Sequence, residues 1–207
     1  MKYSKKILSL KRDSVVLFTI ITPTIGRESL LKTCESVDAQ TFTDYQHLVC
    51  YDGPKCDLEI LKKVVRPGRK ILFTGMPRLN DYGHSLRYLA WDVADKYLMY
   101  LDDDDYYDPE CLEILVKMMD PNVDFIFFPV MWHGNPCMFE PPRTGYTVSC
   151  QYCHKKVGAD GSPIRFRPGG FGTDGHWLDD MLHTNSYQVI KPYKPLVYVD
   201  AMSSERD

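Results

Sequence analysis

Tyr97-Leu98-Met99-Tyr100-Leu101 runs straight into Asp102-Asp103-Asp104-Asp105, and then into Tyr106-Tyr107-Asp108-Pro109. The first five residues are apolar or aromatic, the pattern of a short buried strand. Four adjacent carboxylates repel one another, which costs free energy unless a cation sits among them. Side chains alternate along extended chain, so Asp102 and Asp104 are expected to point the same way. Such a pair can hold a hard divalent cation, Mg²⁺ or Mn²⁺, and leave coordination sites for substrate phosphates. The competing possibility is a solvated acidic turn. Position favours the cation, because open α/β sheets bind ligands at the C-terminal ends of their strands. A calcium loop is set aside. Asp102, Asp104 and Glu113 have its spacing, but Tyr107 stands where it needs Gly and Pro109 starts a helix too early.

Upstream, Val15 to Thr22 is a β-branched and apolar run, expected of a central parallel strand and stopped by Pro23-Thr24-Ile25-Gly26. Leu30, Leu31, Cys34 and Val37 recur at helical spacing within residues 27 to 40. Tyr45 to Tyr51 reads as a strand closed by Asp52-Gly53-Pro54, Asp57 to Val65 as a short helix, and Ile71 to Phe73 as a strand. Asn80 to Gly83 is a turn before a helix from His84 to Lys96. Downstream, Asp108 caps a helix that has Pro109 at its first position. Val123 to Val130 is another buried strand. Strand-helix alternation of this kind implies a mainly parallel sheet with helices on both faces. Residues 133 to 172, rich in Pro, Gly, Cys and Arg, show little periodicity. Helix returns at Thr173 to His183, and Tyr187 to Ile190 and Leu196 to Val199 are late strands, antiparallel or at the edge.

The bulk properties exclude several classes. A chain of 207 residues suits one domain with a full core. A net charge of −3 gives no general attraction for nucleic acid or anionic membranes. No apolar run is long enough to span a bilayer, and no secretory signal opens the chain. The seven scattered cysteines are therefore expected as reduced thiols in a cytoplasmic setting. The polar tail from Met202 to Asp207 is either a natural end or the start of a linker to a further domain.

Four segments, in order, resemble one family. Thr19 to Thr24 is similar to the opening strand and Pro-Thr turn of the GT-A-fold glycosyltransferases of the family-two group. Val49-Cys50-Tyr51-Asp52-Gly53 resembles their second strand and Asp-Gly. Gly83-His84-Ser85-Leu86-Arg87 resembles their Gly-x-Ser-x-x-Arg helix start, and Leu101 to Asp105 with Pro109 their Asp-x-Asp strand end. Tyr51 departs by replacing an acid common before the Asp-Gly, as does Tyr88-Leu89-Ala90 where Asn-x-Gly is usual. The resemblance implies a single Rossmann-like GT-A domain with a short antiparallel addition. Its donor half would span about 13–105 and its acceptor half about 106–200. It further implies a nucleotide-sugar donor, typically a UDP-sugar, a Mn²⁺ or Mg²⁺ cofactor and a glycan or other hydroxyl acceptor. Thr22, Pro23 and Thr24 would line the nucleotide pocket, and Asp52 would accept from the base. Arg87 would lie near the diphosphate, Asp102 at the ribose and Asp104 on the metal, with Asp103 or Asp105 as additional ligands. Taken singly, Asp52 is equally a turn former before Gly53, and Arg87 a surface helix residue.

Glycosyl transfer also needs a base for the acceptor hydroxyl. Asp174, in the glycine-rich stretch Gly169 to Trp177, stands at the loop-to-helix junction where such enzymes place their catalytic acid, although a helix N-cap uses the same residue type. The resemblance implies an inverting single displacement, with retention of configuration the alternative, favoured should Asp174 be only a cap. Asp179 and Asp180 are fallback bases, His176 is a candidate metal or phosphate ligand, and Trp177 and Trp132 are candidates for stacking on a sugar. One motif competes. Cys150-Gln151-Tyr152-Cys153-His154 has the spacing of a c-type haem attachment site, which the missing export signal disfavours. Cys150 and Cys153 could also combine with His154, Cys137 or His133 around zinc, or be plain buried thiols. A non-catalytic donor-binding module is a further alternative. A sugar-phosphate nucleotidyltransferase is not, because Pro23 to Arg27 supplies no glycine-rich phosphate loop.

Overall fold

The computed structural model describes residues 15–53, 58–74, 78–138, 140–143, 147–170 and 172–199. Seven strands form the main sheet. In chain order they are β1 (Phe18–Thr24), β2 (Tyr45–Tyr51), β3 (Arg69–Phe73), β4 (Tyr97–Tyr100), β6 (Phe125–Phe127), β9 (Tyr152–Lys155) and β10 (Tyr187–Val189). Their spatial order is β10-β6-β9-β4-β1-β2-β3. All run parallel except β9, which is antiparallel to both β4 and β6. A second sheet orders β5 (Tyr106–Tyr107), β11 (Val197–Val199), β7 (Val130–Trp132) and β8 (Asn135–Cys137).

Among the described residues, five α-helices cover the main sheet. Helices α1 (Leu30–Asp38), α2 (Leu58–Val64) and α4 (Cys111–Met118) lie on one face. Val37 and Leu112 pack there with Phe18, Ile20 and Met99, and Leu30 and Leu61 pack with Val49. Helices α3 (His84–Ala90) and α5 (Thr173–Leu182) lie on the other, where Leu86, Ala90 and Trp177 meet Ile21, Leu48, Leu98 and Tyr152. The expected α/β architecture is therefore present, with the expected mainly parallel sheet and short antiparallel addition. Strands from before and after residue 105 share the main sheet.

The details differ in four places. Pro23 and Thr24 do not stop β1; they are its last two residues. The Ile21 carbonyl accepts from Leu101 on the β4 side and the Thr24 carbonyl from Asp52 on the β2 side. Alternation then turns the Pro23 nitrogen toward β4, whose pairing with β1 has already ended at Tyr100, so the missing N–H costs no ladder bond. The run from Val123 to Val130 is not one strand. Phe125–Phe127 belongs to the main sheet, Pro129 interrupts, and Val130 begins β7 of the second sheet. The helix expected to reach Lys96 ends at Ala90, continues as one 3₁₀ turn (Trp91–Val93), and becomes extended at Ala94. Finally, the region that seemed structureless from 133 to 172 contains β8 and the central strand β9. The start of the Asp57 helix lies outside the described residues. Helix α4 begins at Cys111 with Glu110, not Asp108, in the N-cap position and Pro109 ahead of the helix; Asp108 instead accepts the Glu110 N–H at 2.9 Å on its carboxylate in the turn before it.

A candidate active site at the strand ends

The C-terminal ends of β1, β2 and β4 meet at one lip of the sheet. The acidic run begins two residues beyond β4 and forms a turn, closed by the Asp105 N–H donating to the Asp102 carbonyl at 3.1 Å. Alternation survives inside this turn. The Asp102 and Asp104 side chains are 43% and 28% exposed, whereas Asp103 and Asp105 are buried. Asp103 accepts a 2.6 Å hydrogen bond from the Thr24 hydroxyl and faces Arg27 at 3.3 Å. Burial pushes its pKa up to about 6, against the pull of the Thr24 bond and the Arg27 charge. The Asp105 carbonyl receives the Thr33 hydroxyl of α1, and its carboxyl is hydrogen-bonded to the Cys150 thiol. Two of the four acids thus anchor the turn, and two face outward.

Each outward acid has a cation. Arg87 pairs with Asp102; it is itself buried, donates to the Tyr82 carbonyl at 2.8 Å and lies over the rings of Tyr100 and Phe166. Its Nε is buried without a hydrogen-bond partner among the described residues. Asp104 faces Arg27 at 3.5 Å. Arg27 lies three residues beyond β1, so the strand-end logic that picked out the acids could have found it too.

Gly83 brings α3 against β1. Its φ of +76° is left-handed, and a Cβ placed there would stand 2.5 Å from the Pro23 Cβ. Asp52 is buried after β2 and accepts the Leu79 N–H at 3.0 Å, which ties the segment before α3 to the β2 end. Thr22 turns inward. The buried Arg69 donates to His47 Nδ1, so His47 Nε2 carries the proton and donates to the Thr22 hydroxyl at 2.9 Å.

Asp174 is the second residue of α5, half-buried, and makes no side-chain cap; the N-cap position belongs to Gly172, at φ +81°. Its charge acts on His84 and Tyr152, and Arg87 acts on the same two groups. Asp174 therefore belongs to the same end of the molecule as the Arg87–Asp102 pair. His84 bonds the Gly169 carbonyl through Nδ1 at 2.8 Å, and burial, followed by Arg87, lowers its pKa, so it is neutral at pH 7. Neither His84 nor Tyr152 carried a sequence signal of its own. The fallback acids part ways: Asp180 is exposed and paired with Arg167 at 2.9 Å, and Asp179 is half-buried. His176 is exposed. Trp177 is core, its indole N–H bonded to the Arg165 carbonyl, so it is not a sugar platform. Trp132 is partly exposed and meets His133 edge to face.

Zinc at Cys150, Cys153 and His154 is corrected by the register of β9. Cys153 pairs with Met99 and Ile126 and joins the core under α4. His154, its neighbour, projects to the opposite face among Tyr100, Phe125 and Trp177. One ion cannot bind both. His154 Nδ1 donates to the Lys155 carbonyl, which leaves Nε2 to accept the Tyr100 hydroxyl at 2.8 Å. The described cysteines are free thiols, and burial raises that of Cys153 to about 12.

Two grooves are lined by other residues. One, of about 310 Å³, runs between Pro129, Pro136 to Met138 and Lys191 to Pro195. The other, of about 480 Å³, is lined by Val15, Ala94 to Tyr97 and Lys155 to Val157. The second is at the opposite strand ends, away from the acids, and the first contains none of the candidate site residues. No helix among the described residues is long and apolar enough to cross a membrane.

Residues 19–175 match the model of glycosyl transferase family 2. The chain belongs to that family. Among solved structures, the family-two chain resembles TarS 1–349 of S. aureus, with a TM-score of 0.73 at 18% identity, over 88% of this chain and 60% of that one. TarS 1–349 in complex with UDP-GlcNAc gives 0.72 at 17% identity, over 89% and 58%. PcManGT, a mannosyltransferase from Pyrobaculum calidifontis in complex with GDP-Man and Mn²⁺, gives 0.65 at 13% identity, over 93% and 59%. At such identities the likeness is one of fold. The family-two chain spans about 60% of the length of TarS 1–349. Among curated proteins, none matches by sequence.

Proposed function

We propose that the chain transfers a sugar from a nucleotide donor, UDP-linked, to a hydroxyl of a glycan or similar acceptor, with inversion and with Mn²⁺ or Mg²⁺ at Asp104. The observation that carries this is the split of the acidic run: two carboxylates anchor the turn and two face outward. Family membership supports the reaction class. The UDP-GlcNAc and GDP-Man complexes of proteins with this fold support the donor class.

The outward acids fit a hard divalent cation. Among the described residues no three His, Cys, Asp or Glu groups converge into a closed metal cage. A Mg²⁺ or Mn²⁺ ion held by one or two carboxylates and completed by diphosphate needs no such cage. Asp104 would hold it, with Asp102 contributing directly or through the ribose. When bound, the ion neutralises charge on the departing diphosphate as a Lewis acid. The chain's own residues do the rest. Arg87, fixed by the Tyr82 carbonyl and by Asp102, aligns the diphosphate. Asp52, held by the Leu79 N–H, borders the base. Asp174 takes the acceptor hydroxyl's proton on the side away from the leaving group.

The test is calorimetric titration of UDP and UDP-sugars with and without Mn²⁺, in the wild type and in Asp104→Asn. Binding that needs Mn²⁺ and falls at least about tenfold in Asp104→Asn is the expected result. Donor affinity indifferent to both metal and Asp104 overturns the proposal.

A further inference from the structure

We infer that Arg27 is a resident counter-ion of the acidic turn, which makes cation binding depend on nucleotide. This rests on the glycosyl-transfer proposal above. The guanidinium straddles two acids, with Nη2 at 3.3 Å from Asp103 Oδ1 and Nη1 at 3.5 Å from Asp104 Oδ2. These ends differ in what lies beyond them. Asp103 is buried and fixed by the Thr24 hydroxyl. Asp104 is partly exposed and is the acid offered to a cation. Arg27 itself is 41% exposed on the loop between β1 and α1.

Both contacts are longer than the 2.7–2.9 Å of a strong charge-assisted bond, so the pair is loose enough to be displaced. A divalent ion arriving alone must displace Nη1 from Asp104 and then face a bare guanidinium charge beside it. With a diphosphate present, the displaced Nη1 gains an anionic oxygen, while Nη2 keeps its hold on Asp103. The rigid fork of arginine suits this two-ended role. Asp102 does not share it, because its own partner, Arg87, is buried and held by the Tyr82 carbonyl. Arg27 thereby opposes the free ion and favours the ion together with its diphosphate.

Titrations of Mn²⁺ alone, and of UDP at saturating Mn²⁺, test this in the wild type, Arg27→Gln and Arg27→Lys. Arg27→Gln should bind Mn²⁺ alone about two- to fivefold more tightly, the scale of a partly exposed ion pair. It should bind UDP at least about tenfold more weakly, the scale of a lost charged hydrogen bond. Arg27→Lys should return Mn²⁺ affinity to the wild-type value without restoring UDP affinity. Because the side chain is partly exposed on a loop, thermal melts should match the wild type. If the wild type binds UDP with Mn²⁺ but Arg27→Gln leaves either affinity unchanged or weakens Mn²⁺ alone, the inference on Arg27 falls by itself. If the wild type binds neither, the glycosyl-transfer proposal falls and takes Arg27 with it.

Discussion

Asp102, Asp103, Asp104 and Asp105 are chemically identical and meet two different fates within one turn. Thr24 and Arg27 hold Asp103, and Thr33 and Cys150 hold Asp105. The other two acids face outward. The run of acids was legible as a candidate cation site because its charge cost is visible without coordinates. Which acid does what was not, since that depends on Thr24, Thr33 and Cys150, distant in sequence. Asp174 was legible as a loop-to-helix acid, but removing the cap reading needed α5, where Gly172 takes the cap position. Asp174→Asn should leave UDP affinity within about twofold of the wild type while turnover falls about 10²- to 10⁴-fold. Donor titration and product formation, measured on the same preparation, check both halves. Loss of donor affinity with turnover would instead mark Asp174 as part of the donor pocket.

Elements were legible where their period was clean. Strand β2 falls on Tyr45–Tyr51 as expected because its apolar run is flanked by turn residues. Strand β9 escaped because it is only four residues long, with Cys153, His154 and Lys155 diluting the strand preference of Tyr152, and because the Cys-x-x-Cys-His spacing drew attention to metals instead. Alternation was present there all the same, with Tyr152 and His154 on one face and Cys153 on the other. The contact of α3 with β1 was half visible: Gly83 was seen as a turn, not as the point where a helix start touches the Pro23 ring. Gly83→Ala should lose about 2 kcal/mol or more, from the left-handed backbone and the overlap with Pro23. Denaturant midpoints would measure it. Donor affinity should fall with it, because the added methyl also comes within 3.4 Å of Arg87 Nη1. An unchanged midpoint would mean that α3 shifts at no cost.

Across the whole molecule, pH should act on stability through buried imidazoles. Burial lowers the His154 pKa from 6.5 to about 4, and burial followed by Arg69 lowers that of His47 well below its usual value. The unfolded chain takes up these protons near pH 6.5, and the folded chain takes up the His154 proton only near pH 4. The stability carried by these histidines is therefore fully present above pH 6.5 and declines as pH falls from there to about 4, opposed over the lower part of that range by Asp103, whose carboxyl, raised to about 6 by burial, takes up its proton in the folded chain first. The drop of the His154 pKa from 6.5 to about 4 corresponds to roughly 3 kcal/mol of that loss. His154→Gln should remove its part of this slope whatever it does to stability at pH 7. Urea midpoints at pH 7, 5.5 and 4.5 for the two proteins give the comparison, and equal slopes would remove His154 as the cause.

Strand β9 sits between β4 and β6, yet it is made late: Tyr152 follows Tyr100 by 52 positions. A ribosome adding about 5–20 residues per second needs roughly 3–10 s to cover that interval. Throughout that time the nascent chain carries Tyr97–Tyr100 with one side of its backbone unpaired, and unpaired strand edges recruit other chains. That interval is the window in which synthesis leaves the growing sheet open to pairing with a neighbouring chain.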